Sequence, residues 1–145
     1  MAANFNRLNN IITEISTSLM IALFSYTAVT KLIGHQTFFN QLKDTPFIGN
    51  YASMLTWLIP ALEIATACLL VFKSTWLFGL YCSSFLMTSF TIYILIILWS
   101  SDPRPCSCGG FIQAMTWTQH LSLNIAFLLL GVYTVFISYR NKKQL

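Results

Sequence analysis

Ile92-Tyr93-Ile94-Leu95-Ile96-Ile97-Leu98 is the stretch on which the fold class turns. It carries no charge and does not alternate between apolar and polar residues. That excludes a β-barrel wall, which would read as roughly ten-residue segments of alternating hydrophobicity. The run lies inside a longer apolar stretch, from about Thr75 to Trp99. Three others match it, at about Ile11 to Ile33, Ser53 to Phe72 and Leu121 to Tyr139. Each reaches the roughly 20 residues that cross about 30 Å of hydrocarbon. In lipid the backbone must satisfy its own hydrogen bonds, so the spans are helices. The sequence therefore predicts an all-α integral membrane protein, a bundle of four transmembrane helices forming a single domain over 1–145.

Composition agrees. Of the 145 residues, 56% are hydrophobic and 8% are charged, against about a quarter charged in a soluble domain. A soluble domain of this size has too much surface for its volume to hide so much apolar area. The net charge is +4, but the basic residues form no patch dense enough for nucleic acid. The first apolar run is too long for the core of a signal peptide and has no small-residue cleavage site after it. It is expected to be the first span.

Only Lys73 and Ser74 separate the second and third spans, which makes those spans antiparallel neighbours. Four spans put Arg7, Lys73, Arg140, Lys142 and Lys143 on one side and Lys31, Lys43 and Arg104 on the other. The richer side is cytoplasmic by the positive-inside rule, so both termini are expected inside. Thr116-Trp117-Thr118-Gln119 fits a capping box at the start of the last helix. Trp99 and Trp117 fall where an interfacial aromatic belt is expected. Phe38 and Phe39, beside Gln41 and Lys43, suggest a short helix on the outer interface, and His35 reads as a loop residue.

The segment Asp102-Pro103-Arg104-Pro105-Cys106-Ser107-Cys108-Gly109-Gly110 carries the sharpest chemical signal. A relaxed disulfide holds its Cα atoms about 4.4–6.8 Å apart. An extended i, i+2 pair sits at or beyond the top of that range, so closing it requires a bent backbone. Gly109 and Gly110 give the freedom to bend, and Pro105 fixes the approach. A disulfide strained in this way is labile, and labile disulfides are the catalytic or regulatory ones. Arg104 and the start of the fourth helix both favour the thiolate if they face the sulfur. On this topology the pair lies outside the cytoplasm, where disulfides persist. Cys106 and Cys108 are therefore the candidate catalytic residues, with Arg104 in support. Two other readings remain: a metal site completed by His120, and unreactive loop cysteines. Cys68 and Cys82 lie inside spans and are expected to pack as small apolar groups.

Glu63 is the other anomaly, an acid in mid-span between apolar neighbours and three residues after Pro60. An ionised acid at that depth costs about 2.5–3.5 kcal/mol on insertion scales. Lys31 is the nearest cation by depth and is its expected partner. The pair reads equally as a polar clasp between helices, which a Gln at 63 would weaken by only about 0.6 kcal/mol, and as a proton acceptor or quinone contact. Pro60 frees a backbone carbonyl one turn before Glu63.

Phe24-Ser25-Tyr26, Lys31-Leu32, Phe39, Leu42, Pro46 and Pro60-Ala61-Leu62-Glu63 resemble the start of DoxX-like membrane proteins. With Pro105-Cys106-Ser107-Cys108-Gly109-Gly110 the chain is similar to the MauE branch, the methylamine-utilisation membrane proteins. One departure is the Gly109-Gly110 pair, where such loops often have Phe-Gly. The resemblance implies a four-helix membrane protein linked to thiol redox chemistry, working with a thioredoxin-like partner on exported, disulfide-rich proteins. It also implies that Lys31 and Glu63 belong to a shared framework.

Together these readings describe a bacterial inner-membrane protein that exchanges disulfides through Cys106 and Cys108 with an extracytoplasmic thioredoxin-like partner. Electrons would pass to or from a membrane carrier such as a quinone; no metal is called for. The alternatives are a non-catalytic anchor or assembly subunit and a metal-handling protein. The topology is directly testable: a C-terminal reporter active only outside the cytoplasm should give no signal, and a strong signal would invert the bundle.

Overall fold

Helices form wherever the sequence is continuously apolar and long, and they extend beyond those limits at both ends of the chain. The computed structural model describes residues 2–45, 48–99 and 117–142. Its elements are α1 (Ala2–Ile33), α2 (His35–Lys43), a 3₁₀ turn (Gly49–Tyr51), α3 (Ala52–Val71), α4 (Trp76–Trp99) and α5 (Trp117–Lys142). Four of them, α1, α3, α4 and α5, contain stretches long and apolar enough to cross a membrane: Asn9–Ile33, Gly49–Val71, Trp76–Trp99 and Thr118–Arg140. No strand occurs among the described residues. The fourth span begins before Leu121, because Thr118, Gln119 and His120 are already helical. Thr116 of the expected capping box lies outside the described residues.

The bundle closes as a ring. α1 packs chiefly on α3, α3 on α4, α4 on α5, and α5 back on α1. No more than 33% of the most apolar window of each span is buried. Most of the remainder is apolar surface of the kind that lipid covers. Hydrophobicity therefore does not choose the inward face, because the spans are apolar all round. Small and polar residues choose it, as is usual where lipid removes the hydrophobic drive between helices. In α3 the buried stripe is Ala52, Thr56, Pro60, Glu63, Ala67 and Leu70, at helical spacing. In α1 it runs Ser16, Met20, Phe24, Ala28, Lys31.

The Lys73 end is tightly packed. Thr75 closes the turn, its hydroxyl donating to the Leu69 carbonyl at 3.0 Å and its amide to Phe72 at 3.1 Å. The Trp76 indole N–H donates to Thr17 Oγ1 at 3.1 Å, tying α4 to α1. Ser83 Oγ lies 3.5 Å from Met20 Sδ across the core. Gly79 lets α4 meet α3 backbone to backbone: a Cβ there would stand 2.9 Å from the Leu70 nitrogen and 3.0 Å from the Leu69 carbonyl carbon.

The opposite end is built differently. α1 stops at Ile33, and α2 folds back so that Phe38 and Leu42 pack on Ala52, with Leu55 and Ile59 against them. The expected short helix is present, but its apolar side is covered by α3 and does not lie free on an interface. Trp99 is 89% exposed at the end of α4, as a membrane anchor should be.

Gly79→Leu should lower stability by about 1–3 kcal/mol, because backbone and not a flexible side chain must move. Gly131→Ala, whose methyl would meet the far end of the flexible Met20 side chain and the Ser84 hydroxyl and no backbone, should cost less. Denaturation in mixed micelles, followed by circular dichroism, measures both.

Candidate functional site

Thr27 and Lys31 lie one turn apart on α1, so they share a face. Opposite them on α3 is Glu63. Lys31 Nζ donates to Glu63 Oε1 at 2.5 Å, and Thr27 Oγ1 reaches the same oxygen at 3.2 Å. The pair is sealed from the exterior, with Glu63 at 0% and Lys31 at 7% exposure. Two aromatic rings complete the cage around the ammonium: Phe90 of α4 at 5.1 Å and Phe38 of α2 at 5.8 Å to their centroids. Both distances fall within cation–π range. Four elements thus converge on one cation. The sequence-based pairing of Lys31 with Glu63 is realised in the geometry.

Beside the pair is a cavity of about 290 Å³, to which every helix contributes. Most of its wall is apolar, and its polar members include Lys31, Glu63, Gln41, Tyr93, His120 and Asn124. Tyr93 Oη lies 3.4 Å from Thr45 Oγ1, which donates to the Gln41 carbonyl at 2.8 Å, so α4 is tied to the segment after α2. Glu63 Oε2 and Asn124 Nδ2 are buried without a hydrogen-bond partner. A compact apolar space with a few convergent polar groups is the ordinary form of a small-molecule site.

The remaining candidates fall elsewhere. Cys106, Cys108 and Arg104 lie outside the described residues. The helices that flank them are described: α4 ends at Trp99 and α5 begins at Trp117, three residues before His120 on the cavity wall. Cys68 is exposed on the bundle exterior, Cys82 is half-buried, and both are free thiols. Among the described residues no group of three or more His, Cys, Asp or Glu could hold a metal. His35 opens α2 and stacks obliquely on Trp57, with ring centroids 4.5 Å apart. Sequence reasoning did not single out Asn124, Tyr93 or Thr27. The available signal was an amide at position 124 inside an otherwise apolar span, a placement that is expensive unless it serves something.

A family model described as methylamine utilisation protein MauE matches residues 9–137. No curated protein and no solved structure gives a significant match.

The geometry raises the cost expected for Glu63→Gln. The substitution leaves a buried ammonium without its counter-charge, and breaking a buried pair costs about 3–5 kcal/mol. Removing both charges, as Lys31→Met with Glu63→Leu, should recover most of that loss. Unfolding of Lys31→Met, Glu63→Leu and the double variant in micelles tests this; a double-variant loss equal to the sum of the single losses would mean that the two charges do not act on each other.

Proposed function

As the chain belongs to the MauE family, we propose that it is a thiol–disulfide exchange protein of the bacterial inner membrane, with both termini in the cytoplasm. Cys106 and Cys108 exchange disulfides with an extracytoplasmic thioredoxin-like partner and so support the maturation of exported proteins. The observation that carries this reading is the cysteine pair itself. It lies one residue apart in the stretch joining two transmembrane helices, within the span of the family match.

In the reduced form, the thiolate of one cysteine attacks a disulfide sulfur of the partner. The partner's S–S bond breaks, a mixed disulfide forms, and the partner's other sulfur leaves as thiolate. The second cysteine then attacks the mixed disulfide, closes the 106–108 bond and releases the partner as a dithiol. The same two steps run in reverse when the pair starts oxidised. Arg104, two residues before Cys106, is the cation nearest in sequence and would favour the attacking thiolate where it faces the sulfur.

Single replacement exposes the partner. With the resolving cysteine gone, the mixed disulfide has no route to release. Cys106→Ala or Cys108→Ala should therefore accumulate a covalent adduct to a thioredoxin-like protein, visible on non-reducing gels after acid trapping. The double variant should form no adduct and have no activity, while replacing Cys68 and Cys82 should change little. A fully functional double variant would make the bundle a scaffold. Stoichiometric metal on the purified wild type, with no adduct in either single variant, would favour metal handling.

A further inference from the structure

The cavity beside Lys31 and Glu63 has no part in the exchange steps, yet it has the features of a built site. Its polar atoms are specific. Glu63 is 0% and Asn124 5% exposed, both line the cavity, and each has one polar atom without a partner, Oε2 and Nδ2. Leaving such atoms unmet in a low-dielectric interior is costly, and they are normally satisfied by protein, water or ligand. One is a carboxylate oxygen that accepts a hydrogen bond; the other is an amide nitrogen that donates one. The Lys31 and Glu63 charges cancel, so the occupant need carry no charge. The wall is otherwise apolar, and two of its members, Leu62 and Phe85, are also exposed on the lipid-facing exterior at 43% and 71%. An occupant can therefore keep part of itself in lipid between α3 and α4.

We infer that this cavity binds the head ring of a lipid-soluble quinone. A quinone is neutral and flat and carries oxygens on opposite sides of one ring. Oxidised, those oxygens accept, which suits the Asn124 amide. Reduced, they are hydroxyls and donate, which suits the Glu63 carboxylate. A sterol or an acyl chain has no paired oxidised and reduced forms and could not take up the electrons that the cysteine pair releases. The inference rests on the thiol reading above and gives it a direction. Closing the 106–108 disulfide releases two electrons and two protons; one quinone takes up both as its two carbonyls become hydroxyls.

The test is binding, which needs no cysteine. The full chain in lipid nanodiscs is titrated with a short-tailed benzoquinone, and an azido derivative of the same quinone is photolysed and the labelled peptides mapped. Saturable binding is expected, with label on cavity-lining residues of α3, α4 and α5. Asn124→Leu should weaken binding about tenfold. Ile59→Trp, which fills the cavity, should abolish both binding and labelling. The Cys106→Ala, Cys108→Ala double variant should bind as the wild type does. No saturable binding by folded wild type, or label mapping away from the cavity, overturns the inference even if Asn124→Leu or Ile59→Trp fails to fold. These results are independent of the adduct experiment: adducts without quinone binding leave the thiol reading and remove the carrier. Quinone binding without adducts does the opposite.

Discussion

A lysine and a glutamate inside an apolar bundle must find each other, and much of the architecture at the Lys31 end follows from that. Either charge alone is costly at membrane depth. The 2.5 Å contact between Lys31 and Glu63, with Thr27 on the same carboxylate oxygen, ties α1 to α3 at one level along the helices. That register places the end of α1 well below the start of α3, and α2 covers the overhang. Phe38 of α2 serves twice there, packing on Ala52 and lying over the Lys31 ammonium. Phe90 brings α4 to the same cation. The interaction is thus less a source of net stability than a selector among otherwise similar packings. Buried ion pairs are weak evidence for stability but can specify register.

The selector matters because lipid-exposed helices lack other means of choosing a face. In a water-soluble bundle the apolar stripe points inward and can be read from sequence. Here α3 and α4 are apolar on every side, so the periodicity that locates the spans says little about their rotation. This explains what was legible. Span number, length and approximate limits followed from hydrophobic runs, and the Lys31–Glu63 contact from the presence of one complementary pair at similar depth. The inward placement of Asn124 and Tyr93 did not follow, since a lone polar residue in a span can face a neighbour, a cavity or the headgroups. α2 was legible as a helix but not in its docking, because Phe38 and Leu42 suit a membrane interface and a protein surface equally. The cysteine pair was read from spacing alone, a local chemical argument that needs no tertiary structure.

The two ends of the bundle use different packing. Towards Lys73 the helices meet through Gly79, Ser83, Thr17 and Trp76, with one backbone pressed on another. Towards Lys31 they stand apart around a cavity, held by polar contacts and by α2. Close small-residue contacts can hold helices in lipid without help from polar groups. A core built for stability alone would fill 290 Å³ with side chains. Keeping that space, and keeping Glu63 and Asn124 on its wall, costs stability that the Lys73 end can supply. Rigid packing at one end also benefits the other, since it fixes the helix directions on which the placement of Lys31, Glu63 and Asn124 depends. The open end is the one from which α4 leaves at Trp99 and to which α5 returns at Trp117, with the cysteine pair between them in the sequence. Close backbone packing and an unfilled cavity thus occupy opposite ends of the same four helices.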